Sequence, residues 1–419
     1  MLFGFSVVSK FIAGRLYRRG DGARGATRPA VIIATVGVSL GLFVMILSMA
    51  VTRGFRNQVS EKVRGFMQDI QVVNCDYSPE FEEYPVSCPA ESFDMLLEGN
   101  RIRHAQRYVE KAGVLRTDSS FQGFMLKGVG QEYDFSFLES YLLEGEIPAC
   151  SDSVASGGVL LSKTLADRLE LSVGDKVDAC FMQERIRLRR FTVSGIYQTN
   201  FPDYDKVYAI TDIHTLQQIN GWNAEQSSGI ELTVADGISL YDAYMDARSV
   251  FDEITMRTNE PYMIRTTEQI NSGLFAWLDI LNVNVVIILL LMMGIAGFTI
   301  ISGLLIIILE RTSMIGMLKA MGAGNGLIRR IFLMLSARIV LKGMVIGDVL
   351  GIGLCLLQQR YHIIPLNPEN YYLDSVPCEL GTGWLLLLNI AVFVLSVLML
   401  TGPSAVISRI APSRSIRFE

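Results

Sequence analysis

The chain has 419 residues, 50% of them hydrophobic and 19% charged, with a formal net charge of −5. An ordinary soluble domain is about one-quarter charged, so part of this chain reads as membrane-embedded, and its acidic balance leaves no electrostatic footprint for a nucleic acid. Its three histidines (His104, His214, His362) lie far apart, and no HExxH, Walker A or GxGxxG string occurs; no catalytic residue and no metal site is expected, and any ATP chemistry must sit on another chain.

In chain order, residues 1–28 form a basic tail. Phe3, Val7, Phe11 and Leu16 share one face of a predicted helix, while Lys10, Arg15, Arg18 and Arg19 carry charge. That pattern fits a helix lying on the cytoplasmic membrane surface; a basic flank that only sets topology is the alternative. The first span (29–52) has its apolar run at 30–51, too long and without the cleavage pattern for a signal peptide. Gly37 and Gly41 are four apart, the spacing that lets helices pair closely. GFRNQVSEKVRG at 54–65 can extend this helix outward.

Residues 53–276 have the composition of a globular domain, and their pattern predicts an α+β fold with a β-rich middle. Strands are predicted at 69–73, 187–196, 207–210 and 229–234, and helices at 90–98, 213–219 and 240–253. GVLLSKTLADRLELSVGDKV at 158–177 reads as strand, helix, tight turn and strand, with Ser162 as N-cap. Ser162-Lys163 and the Asp203/Asp205 pair are the only local catalytic candidates, and neither has a supporting constellation; capping or solvated roles fit them better. Of six cysteines, Cys355 reads as a small buried hydrophobe, while Cys75, Cys88, Cys150, Cys180 and Cys378 fall in segments assigned outside the cytoplasm. Cys75 and Cys88 flank a turn-rich loop and form a candidate disulfide; unpaired cysteines are the alternative.

Thr266 and Gln269 make a capping-box pair, after which nothing before Leu309 breaks a helix. Such a helix is about 65 Å long, roughly twice the hydrocarbon core. It comprises a stalk and second span (277–309), with Asn284 as the one strongly polar residue of the apolar run 283–309. This rod and the extended first span would enter the outer domain directly. A short amphipathic helix follows in 310–330, where Met314, Ile315, Leu318 and Met321 cluster on one face and Gly322 and Gly324 end it. An apolar face of this kind is a docking knob for a cytoplasmic subunit. The third span (331–358) contains Arg338 and Lys342, which can snorkel, and the deeper Asp348. Asp348 reads either as a static interhelical partner or as a contact that changes during a cycle. Gly343, Gly347 and Gly351 in the same span make a second close-packing face, within one subunit or across a dimer. A loop (359–382), a fourth span (383–402) opened by Trp384, and a tail (403–419) complete the chain. Basic residues concentrate in the tail before the first span, the loop after the second and the C-terminus, which puts both termini in the cytoplasm and residues 53–276 outside.

ERTSMIGMLKAMGA, starting at Glu310, resembles the coupling helix of FtsX/MacB-like permeases. FIAGRLYRR, GFRNQV, DIQVV, the 158–177 string, YYLDSVPCEL and the closing PSRSIRFE are similar to the lipoprotein-releasing LolC/LolE branch of that superfamily. The resemblance implies four transmembrane helices with a MacB-like periplasmic domain between spans 1 and 2, in the inner membrane. It implies a permease subunit that extracts lipoproteins from the outer leaflet by mechanotransmission, with no enzyme activity of its own. Implied partners are two copies of an ABC ATPase subunit holding ATP and magnesium, a second permease subunit (a copy or a paralogue), a lipoprotein cargo and a periplasmic chaperone. Glu310, Arg311, Ile315, Gly316, Leu318, Lys319, Gly322 and Ala323 match the coupling motif, with Arg311 and Lys319 as the implied polar contacts and Ile315 and Leu318 as the apolar ones. One departure stands out. Where LolC-type subunits carry a chaperone-docking hairpin loop, FMQERIRLRR at 181–190 is short, basic and free of proline, so this chain could instead be a LolE-type partner or form a homodimer. The alternatives are an FtsX-like signalling subunit that activates cell-wall hydrolases, a MacB-like efflux permease, and an outer-leaflet membrane enzyme.

Overall fold

In a computed structural model of the chain, the described residues are 27–75, 84–87, 90–118, 120–150, 155–182, 186–258 and 260–404. The expected surface helix near the N-terminus, Cys88 of the candidate Cys75–Cys88 disulfide, and the basic C-terminal tail lie outside them. The chain divides into two units. One is built from residues up to Arg56, Trp277–Pro365 and residues from Ser375 onward; the other from Asn57–Ala276 and Leu366–Asp374.

Helices of the first unit are α1 (Thr27–Met67) and α2 (Ser272–Glu310), which belong to it up to Arg56 and from Trp277 respectively, and α3 (Thr312–Ala320), α4 (Asn325–Tyr361) and α5 (Thr382–Met399), which lie wholly in it. Among the described residues, four helices are long and apolar enough to cross a bilayer: α1, α2, α4 and α5 continued to Ser404. Val38, Leu42 and Ile46 of α1 pack with Ile300, Leu304 and Ile308 of α2 and with Phe332, Ile339 and Val340 of α4. Glycines set how closely the helices approach. A Cβ on Gly343 would lie 2.8 Å from the Cβ of Val38, and one on Gly347 2.8 Å from the Ser39 carbonyl. At Gly351 it would meet Ile46, at Gly37 it would clash with Thr299 at 2.6 Å, and at Gly41 it would touch Ala296. The glycine stripe of α4 is therefore occupied by α1 of the same chain, not left open for a second copy. The Asn389 amide of α5 donates to Asp348 Oδ1 at 3.0 Å and to the Leu385 carbonyl at 3.1 Å, so the intramembrane carboxylate has an interhelical partner.

α1 stays helical past its apolar run because Val59, Val63 and Phe66 recur at helical spacing and are buried in the second unit. It stops at Met67, where Gln68 takes a left-handed φ of 55°. The expected single helix from the capping box to Leu309 is interrupted. The box forms, with Thr266 Oγ1 accepting from the Gln269 amide and Gln269 Oε1 accepting from the Thr266 amide, but it starts only the one-turn helix Thr267–Ile270. Asn271 leaves helical geometry (φ −98°, ψ 40°), and its side chain donates to the Thr267 carbonyl and Met67 sulfur. The long helix begins at Ser272.

The second unit is α+β. Its strands are β1 (Ile70–Asn74), β2 (Val86–Ser87), β3 (Ile102–Arg116), β4 (Phe121–Val129), β5 (Leu142–Gly145), β6 (Gly158–Ser162), β7 (Lys176–Phe181), β8 (Arg187–Tyr197), β9 (Tyr208–Asp212), β10 (Gln226–Ser227), β11 (Gly229–Val234) and β12 (Tyr262–Thr266). The main sheet runs β12-β1-β11-β3-β4-β9-β6-β8-β5. β7 pairs with both β3 and β8, so β3-β4-β9-β6-β8-β7 closes on itself as a six-stranded ring. Its interior holds Val109, Leu126, Val159, Leu161, Phe181 and Phe191, packed with residues of the helices Lys163–Leu169 and Ile213–Asn220. The first half of β3 joins β11, β1 and β12, where Ile70, Val72, Ile230 and Leu232 pack with Ala243, Ala247 and Phe251 of the helix Leu240–Thr258. The antiparallel β3–β4 pair was not foreseeable from alternation: β3 buries Gln106 and Lys111 beside Val109 and Leu115, because it serves both lobes.

Candidate functional site

The coupling segment is a helix between two turns. α2 ends at Glu310, and Arg311 breaks from it with φ −102° and ψ 20°. α3 then runs to Ala320 and closes in a Schellman turn. The Ala323 amide donates to the Leu318 carbonyl at 2.9 Å, and the Gly322 amide to the Lys319 carbonyl at 3.0 Å. Gly322 holds the left-handed position, φ 87°, which explains the glycine. Gly324 has extended geometry and starts α4. At that start Arg329 donates to Ser404 Oγ at 2.7 Å and to the Thr401 carbonyl at 3.1 Å, just past the C-terminal end of α5, where a cation is favourable.

Burial divides the coupling-motif residues in a way the helical pattern alone did not. Ile315 is fully buried and belongs to the core with Ile307, Ile308 and Ile328; Gly316 is buried beside it. Met314, Leu318 and Ala323 pack against that core. Ile315 and Leu318, the expected apolar docking contacts, lie on the face that packs against the protein's own bundle, Ile315 fully buried and Leu318 half-buried. The outer face is formed by Ser313, Met317, Ala320 and Met321, with Met317 58% and Met321 70% exposed. Glu310 and Gly322 are exposed, while Arg311 and Lys319 are half-buried. Sequence periodicity located the stripe but put Met321 with Ile315. The exposed methionines could have been found by asking which residues lie opposite the one fully apolar β-branched side chain.

In the globular unit, the extension of α1 is fastened by two buried lysines. Lys127 on β4 donates to the Phe66 carbonyl and, at 2.6 Å, to Glu231 on β11. Glu231 also accepts from Gln106 at 2.8 Å and Gln71 at 3.3 Å. The rings of Tyr108 and Tyr133 lie 5.1 and 5.6 Å from the ammonium. Burial disfavours the Lys127 charge, but Glu231 and the neighbouring acidic groups outweigh it, and its pKa lies above the ordinary lysine value. Lys62, on α1 itself, donates to the Thr199 carbonyl at 2.6 Å and the Tyr372 carbonyl at 2.8 Å. Desolvation lowers its pKa, against the opposing fields of Asp374 and Asp205. Segment 366–374 is held by further bonds within the same unit. Asn200 donates to Asp374 at 2.7 Å, the Tyr372 hydroxyl to Asp203 at 3.2 Å, and Phe201 packs edge-on against Tyr372.

The weak catalytic candidates have structural partners. Ser162 caps its helix, accepting from the Leu165 amide at 3.1 Å and donating to the Asp205 carbonyl. Lys163 pairs with Asp167 at 3.2 Å on the surface. Asp205 is buried and accepts from Thr199 and the Phe201 amide, and burial raises its pKa. On the β7–β8 hairpin, Arg187 and Arg189 donate to Gln218, and Arg190 forms a two-pronged pair with Asp178 at 2.7 and 3.0 Å. Cys75 is an exposed free thiol.

A family model for the MacB-like periplasmic core domain matches residues 31–249, and one for the FtsX-like permease C-terminal region matches residues 286–412. The chain belongs to the FtsX/MacB-like permease superfamily. Among curated relatives of this permease are LolC of Xylella fastidiosa, a lipoprotein-releasing system transmembrane protein 23% identical over 97% of this chain and 98% of that one. LolE of Haemophilus influenzae, described in the same terms, is 22% identical over 96% and 98%. The MacB macrolide export ATP-binding/permease protein of Paracoccus denitrificans is 21% identical over 78% of this chain but only 49% of its own length. Among solved structures, the periplasmic region of MacB from Actinobacillus actinomycetemcomitans covers 51% of this chain and 96% of its own, at 14% identity and a TM-score of 0.36, too low to rest a fold assignment on. Nearly full-length coverage by the Lol-type relatives makes this a lipoprotein-releasing-type permease in its similarities, and a membrane protein by its helices.

Proposed function

We propose that this permease is the membrane subunit of an ABC transporter that extracts lipoproteins from the outer leaflet of the inner membrane, driven by ATP hydrolysis on a separate subunit. The observation that carries the reading is α3: a short helix seated on the bundle through Ile315, closed by Gly322, and presenting Met317 and Met321 outward. Exposed methionines make an adaptable apolar contact surface. The ATPase, two copies holding ATP and magnesium, docks there, and Arg311 and Lys319 supply the polar contacts. The orientation is both termini cytoplasmic and the α+β unit periplasmic, from the basic residues of the inner loops. A second permease subunit, identical or paralogous, completes the transporter.

Force transmission is supported by helix lengths and by how α1 ends. α1 has 41 residues and α2 has 39, about 60 Å each at the α-helical rise, twice the hydrocarbon thickness. The last turns of α1 are bonded through Lys62 and the Phe66 carbonyl, so a displacement of this helix is passed to β4 and β11 rather than absorbed by a linker. Asn271 is a joint at the other rod. The segment 181–190 is short, and its Arg187, Arg189 and Arg190 are engaged with Gln218 and Asp178, so chaperone docking falls to the second permease subunit.

Replacing Met317 and Met321 by Glu tests this. The variant protein is expected to insert and accumulate normally, lose copurification with its ATPase, and lose lipoprotein release from spheroplasts. Release at the wild-type rate would sink the docking surface. Mislocalised lipoproteins on depletion support lipoprotein extraction; chained cells with undivided walls would instead favour FtsX-like signalling.

A further inference from the structure

From sequence alone Cys355 is a small apolar residue of a span, and Cys378 is one of five cysteines scattered outside it. Folding brings the two together. α4 carries Cys355 and, one turn further on the same face, Gln359. The Gln359 side-chain amide donates to the carbonyl of Cys378. Its neighbour Gln358 donates to the Val376 carbonyl at 3.1 Å and the Ile364 carbonyl at 3.3 Å, and accepts from the Ile364 amide at 3.1 Å. From the opposite side the Glu379 amide donates to the Ala50 carbonyl of α1 at 3.0 Å. Gly54 permits that approach, since a Cβ there would sit 3.0 Å from the Pro377 backbone. Residues 376–379 are thus clamped between α4 and α1, which places Cys378 in the same buried cluster as Cys355, its carbonyl bonded to the residue one turn beyond Cys355. Both are free thiols buried in one apolar cluster. The other described cysteines, Cys75, Cys150 and Cys180, are exposed or half-exposed.

We propose that Cys355 and Cys378 form a disulfide that fastens the end of α4 to the segment leading into α5. The inference rests on the orientation proposed above, which puts this end of α4 in the oxidising compartment. In the reaction the two thiols lose two protons and two electrons and gain one S–S bond. The electrons and protons pass to the disulfide of an extracytoplasmic thiol–disulfide oxidoreductase, which leaves as its dithiol. Burial sets the timing: exchange happens as the 362–381 connection packs, and the finished bond is shielded from reductant until the connection opens. The bond holds the base of the loop that carries Tyr372 and Asp374, the residues that engage Lys62 and Asn200 in the globular unit.

The test uses the full chain in cells with Cys75, Cys88, Cys150 and Cys180 replaced by Ser, leaving only the pair. Membranes are acid-quenched, denatured and treated with a polyethylene-glycol maleimide, with or without prior reduction. The expected result is no adduct without reduction and two after it. Cys355→Ser or Cys378→Ser in that background should give one adduct under both conditions, and should accumulate normally. In cells lacking the periplasmic oxidoreductase, two adducts should appear without reduction. Two adducts without reduction in otherwise wild-type cells would overturn the disulfide. Labelling of Cys75 by a membrane-impermeant maleimide on spheroplasts, in a chain with Cys88, Cys150 and Cys180 replaced by Ser, separates the causes. Labelled Cys75 with a reduced pair means the disulfide alone is wrong; unlabelled Cys75 with a reduced pair means the orientation is wrong and the disulfide falls with it.

Discussion

The helical and globular units bury similar side chains under different rules. In the helical unit, contact depends on small residues. Gly343 and Gly347 bring α4 against the backbone of α1, and Gly37 and Gly41 bring α1 against Thr299 and Ala296, while Leu290, Leu291 and Phe298 of α2 stay exposed. In lipid an exposed leucine costs nothing, so association depends on close approach and a few polar links such as Asp348 with Asn389. In the globular unit nearly the reverse holds: Gln71, Gln106, Lys127 and Glu231 are buried together at the junction of the two lobes. There water competes for every polar atom, so a buried charge survives only when its partners are all supplied. Steric closeness organises one unit and satisfied polarity the other.

The sharpest way to break that contrast is Lys127→Met, which leaves Glu231 buried without its cation and is expected to cost about 3–5 kcal/mol of domain stability. Adding Glu231→Leu should restore most of it, measured by thermal unfolding of the detergent-solubilised chain; no recovery would mean that the pair is not the governing interaction. Next in size is Gly347→Leu in the helical unit, where the obstacle is the Ser39 carbonyl, backbone that cannot swing away. A loss of about 1–3 kcal/mol is expected, read as lower yield and faster inactivation in detergent, whereas Gly353→Leu, which faces open space, should be neutral. A pH series sharpens the globular side. Because the folded Lys127 pKa is raised, its stabilisation is complete below the unfolded lysine value of about 10.4 and is lost as pH rises through the folded one. Stability should fall more steeply above about pH 10.4 in the wild type than in the Lys127→Met, Glu231→Leu protein. The smallest effect is expected at the surface: removing the exposed Lys163–Asp167 pair should change stability by about 0.3 kcal/mol.

Several features were legible because each depends on a short stretch of chain. The four apolar runs, the Thr266–Gln269 box, the Ser162 cap and the glycine that closes α3 all follow from spacing within a few residues. The coupling segment was legible for the same reason, but its orientation was not. Which face of α3 is buried depends on Ile328 and Phe332 of α4, and these seat Ile315 inward and leave Met317 and Met321 outside.

The sequence by itself determined where helices cross the membrane, where the soluble domain lies between them, and the family whose coupling motif it carries, since hydropathy and local capping act on neighbours in the chain. Tertiary structure alone decided that β7 closes a ring by pairing with β3, that Lys127 meets Glu231 across a separation of 104 positions, that α4 spends its glycines on α1, and that Cys378 joins Cys355 in one buried cluster. Those outcomes turn on which distant surfaces exclude water or lipid together, and no local pattern encodes that choice.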